Sequence, residues 1–172
     1  MERYKVKIKG VTALLMNKWC NELQEIKQDK IEYAKKRLYT NDKGEPVIPA
    51  EWIERALMIV AREEQVKGFK KLKYSSILPG NLIIEPRYIV FEHNGMKVDE
   101  RTVVIPSTGG RVIRYRPRFD EWKATFEITI LDERITQEIL QKLLIEAGRR
   151  IGIGDGRTIG FGRFILEEFK KL

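Results

Sequence analysis

Ala147-Gly148-Arg149-Arg150-Ile151-Gly152-Ile153-Gly154-Asp155-Gly156-Arg157-Thr158-Ile159-Gly160-Phe161-Gly162-Arg163-Phe164 is the stretch that orders the rest of the chain. It holds six of the 13 glycines and four arginines. An apolar helical pattern precedes it: Ile139, Leu140, Leu143, Leu144 and Ala147, with Thr136 placed as N-cap. Residues 164–169 follow as a strand. Helix, glycine loop, strand is the reverse of a dinucleotide fingerprint, which runs strand, turn, helix. A P-loop fails too, because Gly156-Arg157-Thr158 lacks the lysine and Ile151 stands at its first glycine. Glycine permits φ > 0 and close approach of another backbone or a phosphate. Turn-type N–H groups form anion-binding concavities, and arginine adds forked donors. The expected role is therefore to receive a phosphodiester backbone through Gly154, Gly156, Arg157, Thr158, Gly160 and Arg163, with Arg149 and Arg150 leading in. The competing reading makes Gly148 a helix C-cap and the rest a tight connection into an edge strand.

Working outward, residues 4–11 alternate. Tyr4, Val6 and Ile8 form an apolar face, and Lys5, Lys7 and Lys9 a basic one. Residues 11–19 read as an apolar turn segment ending in Lys18-Trp19, and 22–38 as a polar surface helix or mobile insertion. Asn41-Asp42-Lys43-Gly44 turns a small hairpin. Pro49 opens a helix with Ile53, Ala56, Leu57, Val60 and Ala61 at helical spacing, ending near Gly68. Residues 69–79 read as a basic connector. Residues 82–91 are β-rich, with Pro86 marking an edge or bulge. Asn94-Gly95 is a hairpin turn and residues 102–105 a short strand. Residues 106–110 are a flexible break. Then Arg114, Arg116 and Arg118 alternate with Tyr115, Pro117 and Phe119, and Ala124, Phe126, Ile128 and Ile130 mark a half-buried strand.

Reduced to its core, the order is strand, helix, strand, strand, helix, strand. That predicts an α+β, ferredoxin-like or RRM-like antiparallel sheet with two helices on one face. One domain is expected over 1–172, with insertions at about 20–48 and 92–120. The net charge of +8 favours polyanionic partners. The richness in Lys, Glu and Arg also suits a heat-stable surface. With Cys20 alone no internal disulfide forms, and no Cys/His cluster holds zinc. The charged N-terminus has no signal-peptide core and no run is apolar enough for a membrane, so the expected setting is cytoplasmic. No cofactor, metal site or catalytic residue is expected.

Three segments resemble the RAMP superfamily of CRISPR-associated RNA-binding proteins. Residues 152–164 resemble its C-terminal glycine loop, particularly the ending Gly160-Phe161-Gly162-Arg163-Phe164. Pro46-Val47-Ile48-Pro49-Ala50-Glu51-Trp52 through Leu57 resembles the place where Ile-Pro opens the first helix of the crRNA-binding backbone subunits, with Ala50-Glu51-Trp52 replacing the usual Gly-Ser-Ser. The opening strand through Gly10 into Leu14-Leu15-Met16 is similar to the family's start. The resemblance implies an RRM-like fold and binding of single-stranded RNA, as a solitary relative of the backbone subunits.

The expected function is non-catalytic binding of single-stranded nucleic acid, RNA in preference to DNA, in a CRISPR or mobile-element setting. The binding residues expected besides the loop are Lys18, Trp19, Arg111, Arg114, Arg116 and Arg118, since arginine holds phosphates and aromatic rings stack on bases. Further partners are a second copy or other RAMP-type subunits, and no membrane. Two alternatives stand beside it. An endoribonuclease would draw on His93, a lone histidine in a turn, on Tyr and Lys, or on Asp29 with a metal. A protein–protein module or inhibitor would use Trp19, Trp52 and Trp122 as anchors.

Overall fold

The computed structural model describes residues 1–21 and 29–172. In chain order the elements are β1 (Glu2–Gly10), β2 (Leu14–Leu15), α1 (Lys30–Lys35), β3 (Val47–Pro49), α2 (Ala50–Ala61), α3 (Tyr74–Ile77), β4 (Leu82–Glu85), β5 (Tyr88–His93), β6 (Lys97–Val104), β7 (Arg111–Phe119), β8 (Trp122–Ile130), α4 (Gln137–Glu146) and β9 (Phe164–Lys171). A π-turn, Ala147–Ile151, and a 3₁₀ turn, Arg157–Ile159, lie between α4 and β9.

The main sheet has six strands in the order β3-β5-β8-β1-β9, with β4 also on β8. Every pairing is antiparallel. β1 is therefore an interior strand, between β8 and β9. The alternation read at residues 4–11 holds: Tyr4, Val6 and Ile8 are fully buried, together with Ala124, Phe126, Ile128 and Ile130 of β8. They meet the stripes Ile53, Leu57, Val60 of α2 and Leu140, Leu143, Leu144 of α4 in one apolar cluster. Thr136 caps α4 by accepting the Ile139 N–H. This is the α+β, ferredoxin-like arrangement with α2 and α4 on one face. Pro86 separates β4 from β5, which pair with successive halves of β8: Leu82–Glu85 with Ile130–Glu127, then Phe91–His93 with Ala124–Trp122.

A second sheet, β2-β7-β6, stands beside the first. Several boundaries differ from the sequence reading here. The apolar turn at 11–19 contains a strand, because Leu14 and Leu15 pair with Phe119 and Arg118. β6 starts at Lys97 and runs in register with β7 through Val104↔Arg111. The polar pattern at 22–38 ends in α1, whose N-cap Asp29 accepts the Ile31 and Glu32 N–H groups. α1 is not a mere surface helix: Ala34 is fully buried and Tyr33 meets Tyr115 of β7 edge-on at 5.6 Å. The part of that reading on residues 22–28 lies outside the described residues. α2 stops at Ala61, seven residues before Gly68, and the connector after it carries α3, with Tyr74, Ile77 and Leu78 in the core. The small hairpin at 38–48 is present, with a bridge between Thr40 and Pro46. Among the described residues no helix is long and apolar enough to cross a membrane.

Candidate nucleic-acid interface

The glycine loop is tied down on both sides. Gly152 closes the π-turn by donating to the Ala147 carbonyl at 2.8 Å. Ile153 donates to Gly162, Gly162 to Ala13 at 2.8 Å, and Asp155 to Leu15 at 2.9 Å. Thr12 Oγ1 donates to the Gly160 carbonyl and accepts the Arg163 N–H. The close approaches that the glycines allow are to the chain itself. A Cβ at Gly162 would sit 1.8 Å from the Ile153 carbonyl, and one at Gly154 would sit 2.5 Å from the Leu15 carbonyl. Gly156 lies against the Phe161 ring, whereas a Cβ at Gly160 would meet nothing within 4 Å.

The hairpin of β6 and β7 also holds the loop. Register places Lys97, Asp99 and Arg101 opposite Arg118, Arg116 and Arg114. Asp99 is buried, and Arg101, Arg116 and Arg118 all reach it at 3.2–3.4 Å. Burial, the largest single influence, raises the pKa of its carboxyl, yet these guanidinium groups together hold it below the usual carboxylate value. Arg116 also grips Asp155 of the glycine loop at 2.7 Å. Arg101 and Arg118 stack on Phe161 of the loop at 5.0 and 5.4 Å. The arginine ladder and the glycine loop, two segments expected to share a ligand, thus bind each other.

This contact sorts the expected binding residues. Arg116 is internal, with a side chain 7% exposed and an Nε that has no hydrogen-bond partner among the described residues. Arg118 is held by Asp99 and Asp120, which raises its pKa through the Asp120 hydrogen bond first. Arg163 turns back into the loop, donating to the carbonyls of Ile151, Phe161 and Arg157. Arg149 pairs with Glu146, and Arg150 forks onto Glu63 at 2.7 and 2.8 Å. Lys18 has its backbone pinned to Arg37, but its side chain is exposed, and the neighbouring Trp19 is 74% exposed. Thr158 is exposed. Arg111, Arg114 and Arg157 have no ion pair or side-chain hydrogen bond among the described residues.

The open face of the main sheet is a poor base-stacking platform. Three of its lysines are matched by carboxylates, Lys5 by Glu168 and Lys7 and Lys123 by Glu167, while Lys9 has no ion pair among the described residues. Among the described residues, Tyr88 is the one well-exposed ring on that face. A concavity that combines cations and rings lies between the N-terminal half of α2 and the glycine loop. It holds about 200 Å³ and is lined by Asn17, Tyr39, Trp52, Arg55, Gly154, Asp155 and Arg157. Tyr39 and Trp52 pack edge to face at 5.0 Å. Arg55, like Arg157, has no partner among the described residues, while the Asp155 carboxylate is taken by Arg116. Sequence reasoning passed over Arg55, Tyr39 and Asn17. Arg55 was findable, since it lies off the apolar stripe of its helix, three residues after Trp52. Trp122 is in the core, its indole N–H on the Thr12 carbonyl, and so is no exposed anchor.

The histidine and aspartate weighed for catalysis have structural partners. His93 Nδ1 accepts the Gly95 N–H, and its ring rests on Phe91 and Phe119. Asp29 is the α1 cap. Among the described residues no three His, Cys, Asp or Glu converge as a metal site.

No protein-family model and no curated protein matches the sequence. Solved structures do. One is a chain of the type III-B Cmr-beta complex bound to cognate target RNA, with a TM-score of 0.66 and 15% identity over 99% of this chain. This chain spans 60% of the length of that one. Another is Cmr6 from Pyrococcus furiosus, with a TM-score of 0.48 and 12% identity, covering 95% of this chain and 97% of that one. The fold of this chain is therefore similar to that of the Cmr-beta chain.

Proposed function

We propose that this protein binds single-stranded RNA without cutting it, as a RAMP-type subunit that works beside other such subunits or copies of itself. The observation that carries the reading is the pocket between α2 and the glycine loop. There Arg55 and Arg157, neither with a carboxylate partner among the described residues, flank Trp52. Two forked cations beside a ring suit a phosphate and its base. Arg114, Arg111 and Lys18 are further candidate phosphate contacts. Arg116, Arg118 and Arg163 support the reading indirectly, by fixing the loop that carries Arg157. The likeness to a complex bound to target RNA supports RNA over DNA.

The test is a titration of purified protein with single-stranded RNA, single-stranded DNA and duplex over a salt series. Single-stranded RNA should bind best, with a log–log salt slope of about −0.7 per phosphate contact, and should stay intact. Affinity independent of salt, or a preference for duplex, would overturn the reading. Cleavage that needs His93 would replace it with the endoribonuclease.

A further inference from the structure

Residues 62–73 form a second concentration of charge that the pocket does not use. Arg62, Lys67, Lys70, Lys71 and Lys73 have no ion pair or side-chain hydrogen bond among the described residues. On the open face of the main sheet, by contrast, Lys5, Lys7 and Lys123 each have a carboxylate partner. Here the two nearby carboxylates face other groups: Glu63 holds Arg150 and Glu64 holds Lys142. A cluster of unmatched like charges costs self-repulsion. Arg62 follows the last turn of α2 and complements its dipole, but that does not account for the lysines.

The lysines are presented by an ordered loop. Gln65 and Lys73 bridge, Val66 donates to the Leu72 carbonyl at 2.8 Å, and Gln65 Nε2 donates to the Phe69 carbonyl at 2.8 Å. Val66 is buried beneath. Lys67, Lys70 and Lys71 are exposed, and among them Phe69 is 49% exposed, with the Arg134 guanidinium 5.9 Å from its ring. Lysines around a half-exposed ring match a nucleic acid, which offers both phosphates and stacking bases, better than an acidic peptide, which offers charge alone. α2 also joins the pocket, which it lines with Trp52 and Arg55, to this loop, which follows its C-terminus. Arg55 of α2 and its C-cap Arg62 are seven residues apart, two turns on one face and about 10 Å along the axis. Arg55 shares the pocket with Arg157, and Arg62 leads from the end of α2 into the lysine loop.

We infer that residues 62–73 are a second contact surface for single-stranded nucleic acid, which continues from the pocket along α2 to Lys67, Phe69, Lys70 and Lys71. The inference rests on the pocket reading proposed above. The test compares wild type, the triple variant Lys67→Gln/Lys70→Gln/Lys71→Gln and Arg157→Ala. Each is titrated with oligouridylates of about 4 and about 16 nucleotides, the span of single-strand site sizes. All three variant lysines are exposed, so thermal melting should be unchanged. The 16-mer should lose about tenfold to a hundredfold affinity at 0.1 M salt, with a slope shallower by about 2, while the 4-mer is unaffected. Arg157→Ala should weaken both lengths. If the triple variant binds the 16-mer like wild type while Arg157→Ala weakens it, the second surface is wrong and the pocket stands. Equal losses on both oligonucleotides would mean a diffuse field rather than a contact, and would also overturn the inference. No binding of either length to wild type would overturn both.

Discussion

Arg116 and Arg157 carry the same charge and lie close to the same residue, Asp155, yet their surroundings give them opposite roles. Arg116 is buried between Asp99 and Asp155, where removing one partner of an ion pair leaves the others uncompensated. Arg116→Ala should therefore cost about 3 kcal/mol in urea unfolding, with nucleic-acid affinity falling as the glycine loop loosens. Arg157 has no partner among the described residues, so Arg157→Ala should leave stability within about 0.5 kcal/mol while the RNA titration weakens at least several-fold. Equal stability of the two variants would contradict the division drawn between a supporting and a contacting arginine. Unchanged RNA affinity in Arg157→Ala would make the loop purely structural.

The glycine loop is the element on which these residues depend, and two of its glycines separate two physical reasons for the residue type. Gly160 has φ +96° but open space around the Cβ position, so Gly160→Ala should cost only backbone strain, about 1–2 kcal/mol. Gly162 adds a carbonyl 1.8 Å from that position, so Gly162→Ala must push the Ile153 strand of the loop away and should cost clearly more. Melting temperatures that fall in the other order would mean that the close backbone approach does not hold the loop. Much of the main sheet was legible in the sequence, because its alternation and the helix stripes of α2 and α4 are local patterns with one buried face. The glycine loop was legible as a place of close approach. What approaches it was not, since Leu15 and Ala13 are some 140 residues away in sequence and pair with it only in the fold. The second sheet was hidden for a similar reason. β2 is two residues long and carries no period, and the ladder of Arg114, Arg116 and Arg118 looks the same whether it faces solvent or Asp99.

At the scale of the whole molecule, the charge excess is organised by many carboxylates that stay ionised below their ordinary range, and acid should reverse that. Asp132, just before α4, accepts the Arg134 side chain at 2.9 Å and the Arg134 backbone N–H at 2.9 Å, which pull its pKa down to about 2 against a small opposing effect of burial. Asp99 and Asp120 are lowered as well, Asp99 against its burial by Arg101, Arg118 and Arg116, and Asp120 by Lys97 and then Arg118. A carboxyl depressed in the folded state is protonated first in the unfolded state, near its ordinary pKa of about 4. The unfolded chain then binds more protons, and stability falls with falling pH. Stability from these groups should be fully present above about pH 4–5 and lost progressively toward pH 2, as protonation also drives the net charge above +8. Urea melts at pH 7, 4 and 2 measure this directly. Asp132→Asn should be less stable than wild type at pH 7 and converge with it near pH 2. A constant difference at all three values would place the acid sensitivity in other groups, and a wild-type stability flat from pH 5 to pH 2 would mean that these ion pairs contribute nothing to the folded state.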